Sequence, residues 1–161
     1  MKKIFSLLTL AAVMAAGVSM VGCSNSGSSS DVIKIGVFEP LTGANGAGGA
    51  DEYDGIKLAN KLFPTVLGKK IQLVAVDNKS DKVEAANAAT VLAQKEKVNA
   101  VIGSWGSSLS MSGGPIFAEA KIPAVAVSAT NPNVTKGNDF YFRVCFLDPF
   151  QGVVGANYAV K

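Results

Sequence analysis

Three observations predict an α/β fold in which a parallel sheet carries helices on both faces. From residue 32 onward, strand-like and helix-like segments alternate. The strand-like runs are nearly continuous in apolar and β-branched residues, as in strands covered on both sides, where a half-exposed strand would alternate apolar with polar. Gly, Pro and Asn separate many of these segments, so the breaks have a local chemical cause. Parallel neighbours need a crossover, and the intervening helical segments are long enough to supply it.

Val32 to Phe38 is the first strand, stopped by Pro40 and Gly43. The Gly-rich stretch Gly43 to Gly49 leads into a helix from about Ala50, where Tyr53, Ile56, Ala59, Leu62 and Phe63 recur at helical spacing up to Pro64. Lys70 to Asp77 is the second strand. Asp81 followed by Glu84 forms a capping-box signature for an alanine-rich helix running to about Lys97. Ala100 to Gly103 is a short third strand, and Ser107 or Ser108 is placed to cap a helix ending near Lys121. Ala124 to Val127 is a fourth strand, Tyr141 to Val144 a fifth, and a last helix starts near Pro149. The chain reaches Lys161 with that helix barely begun, which predicts that residues 31–161 are a truncated part of a larger domain.

The first 22 residues have the three parts of a bacterial secretory signal: Lys2 and Lys3, an apolar run from Ile4 to Val21, and small residues towards its end. Gly22-Cys23 closes it as a lipoprotein signal does, which predicts an acylated Cys23 as the mature amino terminus. An ordinary signal peptide and an uncleaved anchor are the competing readings; the apolar run is near the lower limit for a span, and no charge cluster follows it. Ser24 to Ser30 is polar and Ser-rich, a flexible tether between the anchor and a domain that begins near Asp31. The expected location is therefore the extracytoplasmic side of a membrane, in the periplasm or at the cell surface.

Composition removes whole classes of chemistry. The chain has no histidine, so Ser-His-Asp and Cys-His catalysis and histidine-ligated metal sites are excluded within it, and no cofactor or metal is expected. With Cys23 lipidated, Cys145 has no thiol partner and reads as a small buried apolar residue. The formal charge of +3 falls by the two charges of Lys2 and Lys3 on cleavage, leaving no basic patch for nucleic acid.

Ligands of such sheets bind beyond the carboxyl ends of the strands, where strand order reverses. Those ends carry Glu39 to Gly49, Asp77 to Ser80, Gly103 to Ser108 and Ser128 to Asn131. The Gly-rich stretch fails as a phosphate loop, because it has neither a Gly-Lys-Ser/Thr end nor the third glycine of a dinucleotide fingerprint, Asp51 standing in its place. Gly103-Ser104-Trp105-Gly106-Ser107-Ser108 lacks the nucleophile-elbow spacing and a base to activate a serine. Hydroxyls and N–H groups at a helix start do favour a carboxylate; plain helix capping by Ser107 or Ser108 is the equal alternative from local sequence.

The order and spacing of several pieces carry more than any one of them. Ile35-Gly36 to Leu41-Thr42-Gly43, Asp77-Asn78, Val101-Ile102-Gly103 with Ser107 and Ser108, Ile122-Pro123-Ala124 to Ser128-Ala129-Thr130-Asn131-Pro132, then Phe142-Arg143 and Gln151-Gly152 together resemble the amino-terminal lobe of the type I periplasmic binding proteins. Within these the pattern is most similar to the leucine/isoleucine/valine-binding family of ABC importers. The resemblance implies that Ser107 meets a ligand carboxylate, that Thr130 binds the amino-acid backbone group, and that the Ser128 carbonyl takes the ammonium. Gly48 stands where branched-chain binders carry an aromatic residue, and Trp105 has two readings, a replacement wall for the ligand or packing over the sheet edge. It further implies a two-lobed, lipid-anchored solute receptor that closes on a small amino-acid-like ligand and delivers it to permease and ATPase subunits, with no catalysis. An extracytoplasmic sensor module and a secreted α/β enzyme are the alternatives from other classes.

Overall fold

The computed structural model describes residues 32–161; the signal segment, the tether and Cys23 lie outside the described residues. Six strands form one sheet: β1 (Val32–Glu39), β2 (Thr65–Val66), β3 (Lys69–Asp77), β4 (Ala100–Gly103), β5 (Ala124–Ala126) and β6 (Tyr141–Arg143). Their spatial order is β2-β3-β1-β4-β5-β6. All neighbours are parallel except β2 and β3. That pair is a hairpin the sequence reading missed. Its two linking residues, Leu67 and Gly68, have φ of 52° and 75°, as a tight primed turn requires, but Leu in the first position hides the usual Asn-Gly or Asp-Gly signal.

The helices are α1 (Gly46–Leu62), α2 (Lys82–Thr90), α3 (Ser107–Glu119) and α4 (Asp148–Ala159). The first begins at Gly46, four residues before the position expected from periodicity: tertiary packing makes a helix of a stretch whose glycines disfavour one. Asp81 caps α2 as the sequence suggests, its carboxylate accepting from the N–H groups of Val83 (2.7 Å) and Glu84 (3.0 Å). Thereafter α2 widens into a π-turn over Val91–Lys95 and stops there, short of Lys97. Neither Ser107 nor Ser108 caps α3. Gly106 holds that position with φ 92° and no side-chain cap, because the Ser107 hydroxyl is engaged elsewhere.

Strand alternation sorts the side chains onto two faces. Phe38, Val101, Ala124 and Ala126 join Ala85 and Ala89 of α2, Leu92 of the π-turn that follows it, and Leu109 and Phe117 of α3 in one buried cluster. Phe38 and Phe117 meet edge to face at 5.4 Å, within the favoured range for aromatic pairs. The helix approaches Phe38 so closely that a Cβ on Gly113 would lie 2.8 Å from its ring. On the other face, Ile35, Leu73 and Ile102 look towards Ile56 of α1 and Phe63, just past its end, across an apolar cleft of about 640 Å³. Residues of α4 are exposed along its whole length, Phe150, Val153 and Tyr158 among them. Cys145, expected inside, is half-buried, since it follows β6 at the sheet edge where little covers it. Among the described residues, no helix is long and apolar enough to cross a membrane.

Candidate functional site

The chain runs from β1 outward to β3, then returns past β1 to β4, so strand order reverses between β1 and β4. In sheets of this kind, ligands bind beyond the carboxyl ends of the strands at such a switch point. Loops after β1, β3, β4 and β5 border it, and each is fastened by a side chain at or near a strand end.

Asp77, the last residue of β3, organises the first loop. Its Oδ1 accepts from the N–H groups of Leu41 (2.8 Å) and Lys79 (2.8 Å), and its Oδ2 accepts from the Thr42 hydroxyl (2.6 Å). Burial pushes the Asp77 pKa up, but the hydrogen bonds from Thr42, Lys79 and Leu41 outweigh it and hold the carboxyl below its ordinary value. Ser80 donates to the Thr42 carbonyl (2.7 Å) and accepts from the Asn45 N–H (2.9 Å). Asn78 is fully buried and donates to the Ser104 hydroxyl (2.9 Å), joining the loops after β3 and β4.

Gly103 has φ 123°, and a Cβ there would stand 2.1 Å from the Phe38 carbonyl oxygen. Only glycine fits that approach of β4 to β1. Two residues on, Trp105 lays its indole against α1. A Cβ on Gly48 would fall 2.4 Å from the indole Nε1 and 2.5 Å from Cε2. The bare surface of Gly48 and the Trp105 ring are therefore two halves of one contact. An aromatic side chain projecting from residue 48 and the indole in its present place would compete for the same volume.

At the start of α3, the N–H groups of Ser107 and Ser108 have no intrahelical acceptor, as in any first helical turn. The Ser107 hydroxyl oxygen accepts from the Asn131 N–H (3.2 Å), which uses one of its lone pairs and leaves its O–H free to donate. This bond brings the loop holding Ser128 and Thr130 to the start of α3. Arg143 of β6 fixes the same loop from behind, donating to the carbonyls of Ala129 (2.7 Å) and Asn131 (2.9 Å) and to the Thr135 hydroxyl (3.1 Å). The Ser128 hydroxyl donates to Glu52 of α1. The Thr130 carbonyl accepts from the Asp148 N–H (3.1 Å). Ser108 accepts through its carbonyl from the Ser112 hydroxyl (3.0 Å), within the helix.

Sequence reasoning missed two carboxyls. Glu39 is fully buried at the end of β1, and its Oε2 accepts from the Trp105 N–H (2.7 Å). Burial raises its pKa from 4.5 to about 9, the Trp105 N–H opposing and the adjacent Glu52 carboxyl reinforcing the rise. A signal for both was present. Glu39 is an acid closing a strand that is apolar apart from Lys34, and Glu52 sits one helical turn from both Gly48 and Ile56 on the covered face of α1. Among the described residues, no group of three or more His, Cys, Asp or Glu stands together to hold a metal ion.

A family model described as periplasmic binding protein matches residues 32–161. The chain belongs to the type I periplasmic binding proteins, in the leucine/isoleucine/valine-binding family. It is 34% identical over 153 residues to an amino acid binding protein of Pseudomonas aeruginosa, covering 92% of this chain and 41% of the relative. Leu/Ile/Val-binding protein homolog 1 of Brucella abortus is 32% identical over 161 residues, with 98% of this chain and 41% of the relative covered. Among solved structures, the leucine binding protein LivK of Thermotoga maritima superposes with a TM-score of 0.77 at 47% identity, over 80% of this chain and 37% of that one. LivJ of Streptococcus pneumoniae, solved with isoleucine, gives a TM-score of 0.77 at 35% identity over 81% of this chain and 38% of that one. The chain thus spans 41% of the length of these curated relatives.

The paired surfaces of Gly48 and Trp105 yield a signed prediction for this binding-protein lobe. Alanine is favoured over glycine inside a helix by about 1 kcal/mol, but overpacking costs about 1–3 kcal/mol. Gly48→Ala is expected to destabilise the protein in urea unfolding, and to become neutral or stabilising in a Trp105→Ala background. An equal cost in both backgrounds would show that the indole does not fill the space over residue 48.

Proposed function

We propose that this chain is the amino-terminal lobe, residues 31–161, of an extracytoplasmic solute receptor of an ABC importer, one that binds an amino acid of the branched-chain type and catalyses nothing. The observation that carries this reading is the meeting of the α3 amino terminus with the 128–131 loop at the switch point, fixed by the Asn131–Ser107 hydrogen bond. Donors there suit a carboxylate: two first-turn N–H groups, the Ser107 O–H and the positive end of the helix dipole. Acceptors on the neighbouring loop suit an ammonium, so a zwitterion is matched at both ends. In this reading Ser107 and Ser108 receive the carboxylate, the Ser128 carbonyl and Thr130 the ammonium group, and Trp105 forms a wall for the apolar side chain.

The relatives support the ligand class. The Brucella protein carries the name Leu/Ile/Val-binding, the Streptococcus structure contains isoleucine, and a Desulfitobacterium hafniense substrate-binding protein at 25% identity and TM-score 0.68 was solved with leucine. Permease and ATPase subunits of an importer are the partners this implies. Residues 1–22 act as signal and 23–30 as tether, with Cys23 as the lipid-bearing terminus; two or more acyl chains anchor a protein stably where one is marginal.

L-leucine, L-isoleucine and L-valine are expected to raise the melting temperature of the full-length receptor, and Ser107→Ala or Thr130→Ala to weaken binding by about 1–3 kcal/mol, the cost of a lost hydrogen bond to a charged group, with unfolding midpoints little changed. Unaltered affinity in both variants would show that the site lies elsewhere. Mass spectrometry of the membrane fraction tests the anchor: an acylated Cys23 is expected, and an unmodified terminus further along the chain would remove it.

A further inference from the structure

We propose that Glu39 and Glu52 share a single proton and act together as a positioning pair, holding Trp105 and Ser128 in place for the ligand; the ligand part of this rests on the function proposed above. Each carboxyl has one oxygen engaged and one without a partner. Glu39 Oε2 accepts from the Trp105 N–H at 2.7 Å, and Glu52 Oε1 accepts from the Ser128 hydroxyl. Glu39 Oε1 and Glu52 Oε2 are both buried without a hydrogen-bond donor, although the two side chains lie within hydrogen-bonding reach of one another. Two ionised carboxylates cannot satisfy each other, since neither has a hydrogen to give. One protonated carboxylic acid beside one carboxylate does, and a single proton then accounts for both orphaned oxygens.

The surroundings favour that proton. The ion pairs among the described residues are Lys34–Glu96, Lys57–Asp54 and Lys79–Glu84, and none includes either carboxyl. From β3, Asp77 lies across from Glu39 in register, its carboxylate held by the N–H groups of Leu41 and Lys79 and the Thr42 hydroxyl. Asp51 flanks Glu52 on α1. From β6, Tyr141 donates its O–H to the Gly103 carbonyl at 2.6 Å, and burial keeps the phenol protonated well above its ordinary range. Arg143, the cation bonded to the β5 loop, is committed to the carbonyls of Ala129 and Asn131. Nothing in this set compensates a second negative charge, so neutralising one carboxyl is the cheaper state.

What the pair connects gives it a role beyond stability. Glu39 ends the central strand and grips the backbone of the β4–α3 loop; Glu52 rides on α1 and grips the β5 loop. Deprotonation places two like charges together in a buried site and separates the two grips, moving Trp105 away from Ser128. The sign for stability follows from linkage. The folded-state pKa lies above the unfolded value, so the pair's contribution is fully present below about pH 4.5 and is lost as pH rises towards about 9.

The test uses the full-length receptor and Glu39→Gln, whose amide still accepts from the Trp105 N–H and gives Glu52 a permanent donor. Glu52→Gln repeats it from the other partner should the first variant fold poorly. Infrared spectra of the wild type should show one protonated carboxyl at neutral pH that titrates near pH 9 and is absent from Glu39→Gln. Emission from Trp105, isolated by subtracting a Trp105→Phe variant, should shift with that same midpoint in the wild type and not in Glu39→Gln. Leucine affinity relative to Glu39→Gln, a ratio in which the titration of leucine's own ammonium cancels, should fall about tenfold for each pH unit above the midpoint. Absence of the infrared band overturns the shared proton. A band without the fluorescence shift overturns the positioning role, whether or not leucine binds; failure of leucine to bind, with band and shift present, falls on the proposed function alone. A flat affinity ratio beside a normal band removes the link to the ligand.

Discussion

The first strand lies in the middle of the sheet with a parallel neighbour on each side, so both of its backbone edges are paired and both of its side-chain faces are covered. Its last two residues inherit that confinement and point in opposite directions. Phe38 enters the cluster under the second and third helices, with no exposed surface. Glu39 points to the face covered by the first helix, also with none. A fully buried carboxyl must be neutralised or bonded on every side. It recruits the Trp105 N–H and the Glu52 carboxyl, and through them the loop after the fourth strand, the first helix and the loop after the fifth. The switch point is thereby tied together at its floor.

The loops above that floor hold their shape by polar bonds from strand ends. Asp77 holds the loop after the first strand, Asn78 joins the next two, Arg143 holds the loop containing Thr130, and the Ser107 hydroxyl receives the Asn131 N–H. Carboxylate and guanidinium bonds of this kind are roughly twice as strong as neutral ones. A site with its donors and acceptors fixed in this way orders fewer groups when a ligand arrives, which lowers the cost of binding. In the two-lobed receptor proposed above, hinge closure by a second lobe would complete the enclosure.

Much of the fold was legible because apolar strands and alanine-rich helices obey simple periods. The strands at Ala100–Gly103 and Lys69–Asp77, and the Asp81 cap, emerge within a residue of expectation. What escaped depends on partners far away in sequence. No local rule makes a helix of Gly46-Ala47-Gly48-Gly49; the indole of Trp105 requires the bare Gly48, and a Cβ on Gly49 would meet the Pro40 carbonyl at 2.1 Å. Ser107 looked like a cap, but its hydroxyl faces Asn131, which lies 24 residues on. Glu39 and Glu52 gave a weak signal singly, and only the fold shows that an acid at a strand end and an acid on a helix face share one buried space.

Amide hydrogen exchange on the full-length receptor, with and without L-leucine, tests most directly whether the switch point is where this lobe meets its ligand. Within the lobe, leucine should slow exchange at the N–H groups of residues 105–108 and 128–131, and leave the second helix, Lys82–Thr90, unchanged. Leucine binding with no protection at either loop, or with protection centred on the second helix, would contradict the account.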